Sequence, residues 1–122
     1  MTEKKIVLVL GASEKVWRYS HMAVLRLTEH GHFVLAHGKK SGIIEGTEII
    51  TEFPKGRDID TVTVYLNVLH QEMYQDRIIK IQPKRVIFNP GAENEAFEQR
   101  LSIEGIEVLN ACTLVMLSIG QF

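Results

Sequence analysis

Cysteine is almost missing: Cys112 is the only one in 122 residues. No intrachain disulfide can form and no multi-cysteine zinc site can assemble, so a reducing, cytoplasmic setting is expected. Histidine offers no substitute, because His21, His30, His32, His37 and His70 follow no spacing typical of metal ligands, and no metal is expected. Proline is sparse (Pro54, Pro83, Pro90), and with no Ser/Gly tract or repeat nothing divides the chain. A single domain spanning residues 1–122 is the expected unit, of ordinary size. Long apolar runs are absent too. The longest, Ile6–Leu10, has five residues, against about 20 for a membrane helix. Fourteen basic against fifteen acidic residues leave a net charge of -1, with no bulk positive charge to attract nucleic acid or anionic lipid. Met1–Lys5 lacks the apolar core of a signal peptide.

What is present is an ordinary soluble composition, 45% hydrophobic and 24% charged, neither disordered nor membranous. Apolar β-branched runs alternate with helical patterns, which marks a parallel α/β sheet. Lys5–Leu10 reads as a central strand apolar on both faces. A helix over Val16–His30 stopping at Gly31, a strand at His32–Ala36 and a loop at Gly38–Gly42 follow. Thr47–Ile50 reads as an optional short strand and Asp60–Leu66 as a buried one. A helix over His70–Ile81 ended by Pro83, a strand at Lys84–Phe88, a helix over Glu93–Leu101, a strand at Ile106–Leu109 and a terminal helix over Thr113–Ile119 complete the pattern. The expected architecture is an open, mostly parallel Rossmann-like sheet of about five strands with helices on both faces. Ligands of such sheets sit beyond the carboxyl ends of the strands, where strand order reverses. The chemistry therefore belongs just after each strand.

Gly11-Ala12-Ser13 follows the first strand. Glycine permits a tight turn and close approach by phosphate, and serine offers a hydroxyl and an N–H before a helix start that favours anions. A plain turn with a serine cap explains the same residues. The G-x-G-x-x-G fingerprint is absent, since the glycine after Gly11 is Gly31. The second strand ends Ala36-His37-Gly38-Lys39-Lys40, without the carboxylate that accepts ribose hydroxyls in NAD sites. Two lysines suit a phosphorylated ribose, as in NADP or coenzyme A; a solvated loop is the other reading. Arg18 offers a planar donor fork to a phosphate, or lies at the surface beside Trp17 and Tyr19. In Asn89-Pro90-Gly91-Ala92-Glu93-Asn94-Glu95, Pro-Gly suits a type II turn and the glutamates a helix start, leaving Asn89 and Asn94 to face a crevice. No nucleophile–base pair stands out. Cys112 reads as a small buried hydrophobe or as a thiol facing a thiol-bearing ligand.

Taken in order, Val-Leu-Gly-Ala-Ser (Val9–Ser13), Arg-x-Ser (Arg18–Ser20), His-Gly-His-x-Val (His30–Val34), Phe-Asn-Pro-Gly-x-Glu-Asn (Phe88–Asn94) and the run from Gly105 through Cys112 to Leu117 cover nearly the whole chain. That set resembles the small stand-alone CoA-binding domain family, Rossmann-like modules related to the CoA-binding domain of succinyl-CoA synthetase α subunits. The resemblance implies binding of coenzyme A through its ADP part. Gly11, Ala12 and Ser13 would approach the pyrophosphate, Arg18 and Ser20 support the phosphates, and Lys39 or Lys40 match the family's lysine after the second strand. Pro90–Asn94 would line the far side, and Cys112 matches the family's cysteine. The chain departs from the pattern at His37-Gly38, where many members carry Asn-Pro, and at Leu66-Asn67, where many carry a basic pair.

A cytoplasmic binding module without catalysis of its own is the expected function, its partner a small nucleotide cofactor, possible homodimerisation resting on Leu114–Ile119. Two alternatives stay open: a small NADP-dependent reductase with Tyr65 or His37 as proton donor, and a redox-responsive module in which Cys112 forms a mixed disulfide with CoA.

Overall fold

The alternation of apolar side chains in the first strand sets the layering. In a computed structural model, which describes residues 3–55 and 58–122, β1 (Ile6–Leu10) lies at the centre of a seven-stranded sheet. Met1 and Thr2, part of the N-terminal stretch read above, lie outside the described residues, as do Gly56 and Arg57. Leu8 and Leu10 point into one core, and Val7 and Val9 into the other. Each fully buried side chain of this kind contributes about 1.5–3 kcal/mol.

The remaining strands are β2 (Phe33–His37), β3 (Gly42–Ile44), β4 (Thr47–Ile50), β5 (Thr61–Val64), β6 (Arg85–Phe88) and β7 (Glu107–Asn110). They run in the order β3-β4-β2-β1-β5-β6-β7, all pairs parallel except β3–β4. The helices are α1 (Tyr19–Glu29), α2 (Val68–Gln71), α3 (Gln75–Ile81), α4 (Glu95–Ile103) and α5 (Thr113–Ser118). Ala23, Val24 and Leu27 of α1 and Leu117 of α5 pack on the Val7/Val9 face. Ile78 of α3 and Phe97 and Leu101 of α4 pack on the Leu8/Leu10 face. The chain leaves β1 toward β2 and later returns to β5 on its other side, so the strand order reverses at the end of β1.

The Rossmann-like layering agrees with the expectation, and the strand count corrects it from about five to seven. Thr47–Ile50 is a strand, and the end of the expected Gly38–Gly42 loop begins another. A two-residue reversal at Glu45-Gly46, both at positive φ (40° and 87°), folds β3 back on β4, the mirror-image turn that hairpins prefer. Helix α1 begins at Tyr19 rather than Val16, because Arg18 N–H closes a turn on Lys15 O at 3.0 Å. The segment expected as one helix over His70–Ile81 is broken by a 3-10 turn at Glu72–Tyr74. Its start moves to Val68, where Asn67 Oδ1 accepts the His70 N–H at 3.0 Å.

Candidate functional site

Gly11 opens the site. Its φ of +96° turns the chain sharply off β1, and a side chain there would press on Leu66 and the Tyr65 backbone. The Gly11 and Ala12 N–H groups both donate to His37 O, at 3.0 and 2.9 Å. On this loop the amides left for an incoming anion are those of Ser13 and Glu14, whose N–H groups have no acceptor among the described residues. Ser13 Oγ accepts the Lys15 N–H at 3.1 Å, and Ser13 O accepts a hydrogen bond from His21 Nδ1 at 3.0 Å, tying the loop to α1.

Across from this loop, β2 ends at His37 and the chain crosses at Gly38. A Cβ on Gly38 would stand 2.4 Å from Ala12 O, so only glycine lets the two backbones meet. Between the segments lies a crevice of about 450 Å3, within the roughly 300–1,000 Å3 of small-molecule sites. Its walls are Gly11–Lys15, His37–Ser41, and Leu66, His70 and Tyr74 from the β5–α2 side. Lys15, Lys39 and Lys40 line it against one acidic residue, Glu14, a balance of charge that favours an anion.

His37 sits at the buried end. Its Nδ1 donates to Glu52 O at 3.1 Å, which leaves Nε2 to accept the Tyr74 hydroxyl at 3.3 Å. Burial holds the imidazole below its ordinary pKa, with the Arg77 charge adding to the effect, so it is neutral near pH 7. Phe53 packs against both rings.

Gly11, Ala12, Ser13, Lys39 and Lys40 thus meet at one crevice, and the other expected site residues stand outside its lining. Arg18 is exposed at the N-cap of α1, and Ser20 is buried in that helix. Asn89 is committed inside the fold. Its Nδ2 donates to Thr63 Oγ1 (2.7 Å) and Val64 O (2.9 Å), and its Oδ1 accepts from Thr113 N (2.9 Å). Pro90 and Gly91 form the expected turn, with Ala92 N–H on Asn89 O at 2.8 Å and Gly91 at φ +93°. Glu93 precedes α4 and accepts the Gly91 N–H. Asn94 caps α4 through Phe97 N and donates to Gln71 Oε1 at 2.9 Å. Cys112 is half-buried at the N-cap of α5. Tyr65 also stands outside the crevice, and burial pushes its phenol up to about 12.

Glu14, Tyr74 and Gln71 were not singled out from the sequence. Glu14 is next to Ser13 on the same loop, which was a usable signal. Gln71 carried none: it is fully buried and its Nε2 bonds both Leu66 O (2.8 Å) and Ala92 O (2.7 Å). Through it the Pro90–Asn94 turn buttresses the α2 wall of the crevice without lining it.

Among solved structures, the chain is similar to an uncharacterized protein at 46% identity and TM-score 0.96, over 99% of this chain and all of that one. It is also similar to cell-free ID.343 from Thermus thermophilus, at 23% identity and TM-score 0.85, covering 98% and 91% of the two chains. Aspartate dehydrogenase from Thermotoga maritima shares the fold at 22% identity and TM-score 0.58, over 88% of this chain and 45% of that one. No curated protein matches the chain. Among the described residues no helix is long and apolar enough to cross a membrane. Residues 5–118 match the CoA binding domain as a family, and on that span the chain belongs to the CoA binding domain family.

Proposed function

We propose that the chain binds coenzyme A through its ADP part in the crevice above Gly11. The observation that carries this reading is the meeting of two anion-ready segments: the Ser13–Glu14 amides on one wall and Lys39 with Lys40 on the other. The residues suit the group. Gly38 admits close backbone approach, and the ammonium groups match a ribose bearing its own phosphate. NADP has the same charge pattern and is the alternative ligand. The chain acts as a cytoplasmic binder rather than a catalyst. His37 is neutral and occupied by Tyr74, and the Tyr65 phenol at about 12 is a weak acid, so neither expected proton donor is poised near pH 7.

Titration calorimetry with CoA, dephospho-CoA, NADPH and NAD tests the reading. CoA is expected to bind, dephospho-CoA more weakly, and the Lys39→Ala/Lys40→Ala variant is expected to bring the two together. Saturating CoA at about a hundredfold its Kd should add about 2.7 kcal/mol of stability. No heat and no thermal stabilisation at millimolar CoA would refute it.

A further inference from the structure

We infer that Glu14 is a positioning residue, a clasp that closes Lys39–Ser41 into a fixed arch over the crevice; the inference rests on the CoA reading of that crevice. Both feet of the arch stand on the Gly11–Glu14 loop. The first is Gly38, where Ala12 O approaches so closely that no Cβ fits. The second is Glu14, whose Oε2 accepts the Ile43 N–H at 2.9 Å. At the neighbouring Gly42 a Cβ would lie 2.3 Å from Glu14 Cδ, so the carboxylate lies flat against the backbone it holds. Between these feet lie Lys39, Lys40 and Ser41, exposed residues that all line the crevice.

An exposed three-residue arch with two lysines loses conformational entropy when it orders around a ligand. Anchoring both ends removes part of that loss in advance, which strengthens binding through preorganisation. The acceptor must also be a group that does not compete for the ligand's place. Glu14 spends one oxygen on the Ile43 N–H at the foot of the arch. A carboxylate on an anion-binding loop is otherwise a repulsive choice, and the clasp accounts for it.

The test combines ligand-free amide hydrogen exchange with CoA and dephospho-CoA affinities, for wild type, Glu14→Ala and Glu14→Gln. Glu14→Ala should speed exchange at Ile43 and weaken CoA by about fivefold, the scale of one exposed hydrogen bond to a charged group. Dephospho-CoA should weaken less, because the arch lysines act on the phosphate it lacks. Glu14→Gln, which keeps an acceptor oxygen, should restore both. In a Lys39→Ala/Lys40→Ala background, Glu14→Ala should still speed Ile43 exchange but have no further effect on CoA affinity. Unchanged Ile43 exchange in Glu14→Ala overturns the clasp. Equal losses for both ligands, or tighter CoA binding by Glu14→Ala, overturn its action through the lysines. If wild type binds neither ligand, the CoA reading fails, while Ile43 exchange still decides the clasp.

Discussion

Replacing Gly38 with alanine is the sharpest perturbation the geometry offers. The new Cβ would fall 2.4 Å from Ala12 O and 3.2 Å from Ile49 Cγ2. A relaxed carbon–oxygen contact needs about 0.8–1 Å more than that. Ala12 O cannot retreat alone, because the Gly11 and Ala12 amides are both bonded to His37 O, one residue before the substitution. The first loop and the start of the lysine arch must move apart together. Forced contacts of this kind cost about 1–3 kcal/mol. Losing a glycine from the unfolded chain returns about 0.4–1 kcal/mol. The net expectation centres on a loss of about 1.3 kcal/mol, or a fall in Tm of roughly 5 °C for a domain of this size. Calorimetric unfolding reads the first effect, and CoA titration should show binding weakened beyond what partial unfolding explains. A Gly38→Ala protein as stable as wild type, with unchanged CoA affinity, would refute the close-approach argument.

Asn89→Ala should lower stability by about 1–3 kcal/mol in urea unfolding, because it strands the buried Thr113 N–H and takes one donor each from Thr63 Oγ1 and Val64 O, which keep Thr113 Oγ1 and the Asn89 N–H as partners. Acidification should destabilise the fold, since burial lowers the pKa of both His32 and His37. The unfolded chain then binds more protons, so stability is full above the ordinary histidine value of about 6.5 and declines as pH falls below it. Urea midpoints at pH 7.5 and 5.5 check this, His37→Gln should reduce the slope, and equal midpoints would contradict it.

Much of the frame was legible because β-branched runs such as Ile6–Leu10 and Thr61–Val64 have only one way to be buried on both faces. Gly31 and Pro83 marked helix ends for reasons local to the chain. The hairpin at Glu45-Gly46 was hidden, because a three-residue strand with a glycine carries almost no periodicity. At the site, Gly11, Ala12, Ser13, Lys39 and Lys40 were readable since they lie directly beyond β1 and β2, where topology alone converges. Asn89 and Asn94 misled for a physical reason. An amide beyond a strand is equally fit to face a ligand or to complete the backbone bonding of its neighbours, and only three-dimensional packing chooses. Gln71 was beyond reach, as its partners Leu66, Ala92 and Asn94 meet it only in the folded chain.

The bonds of Gln71 make the two sides of the crevice mechanically unlike. On the α2 side, one buried amide locks Leu66, Ala92 and Asn94 into a single block continuous with the sheet. On the lysine side, a short exposed bridge hangs between the Gly38 N–H on Ile50 O and the β3–β4 pairing, with the Gly38 contact on Ala12 and the Glu14–Ile43 bond tying it to the first loop. The two walls thus differ in what a substitution would reach: a change at Gln71 disturbs three segments of the buried fold at once, whereas a change at Glu14 touches a single exposed bond.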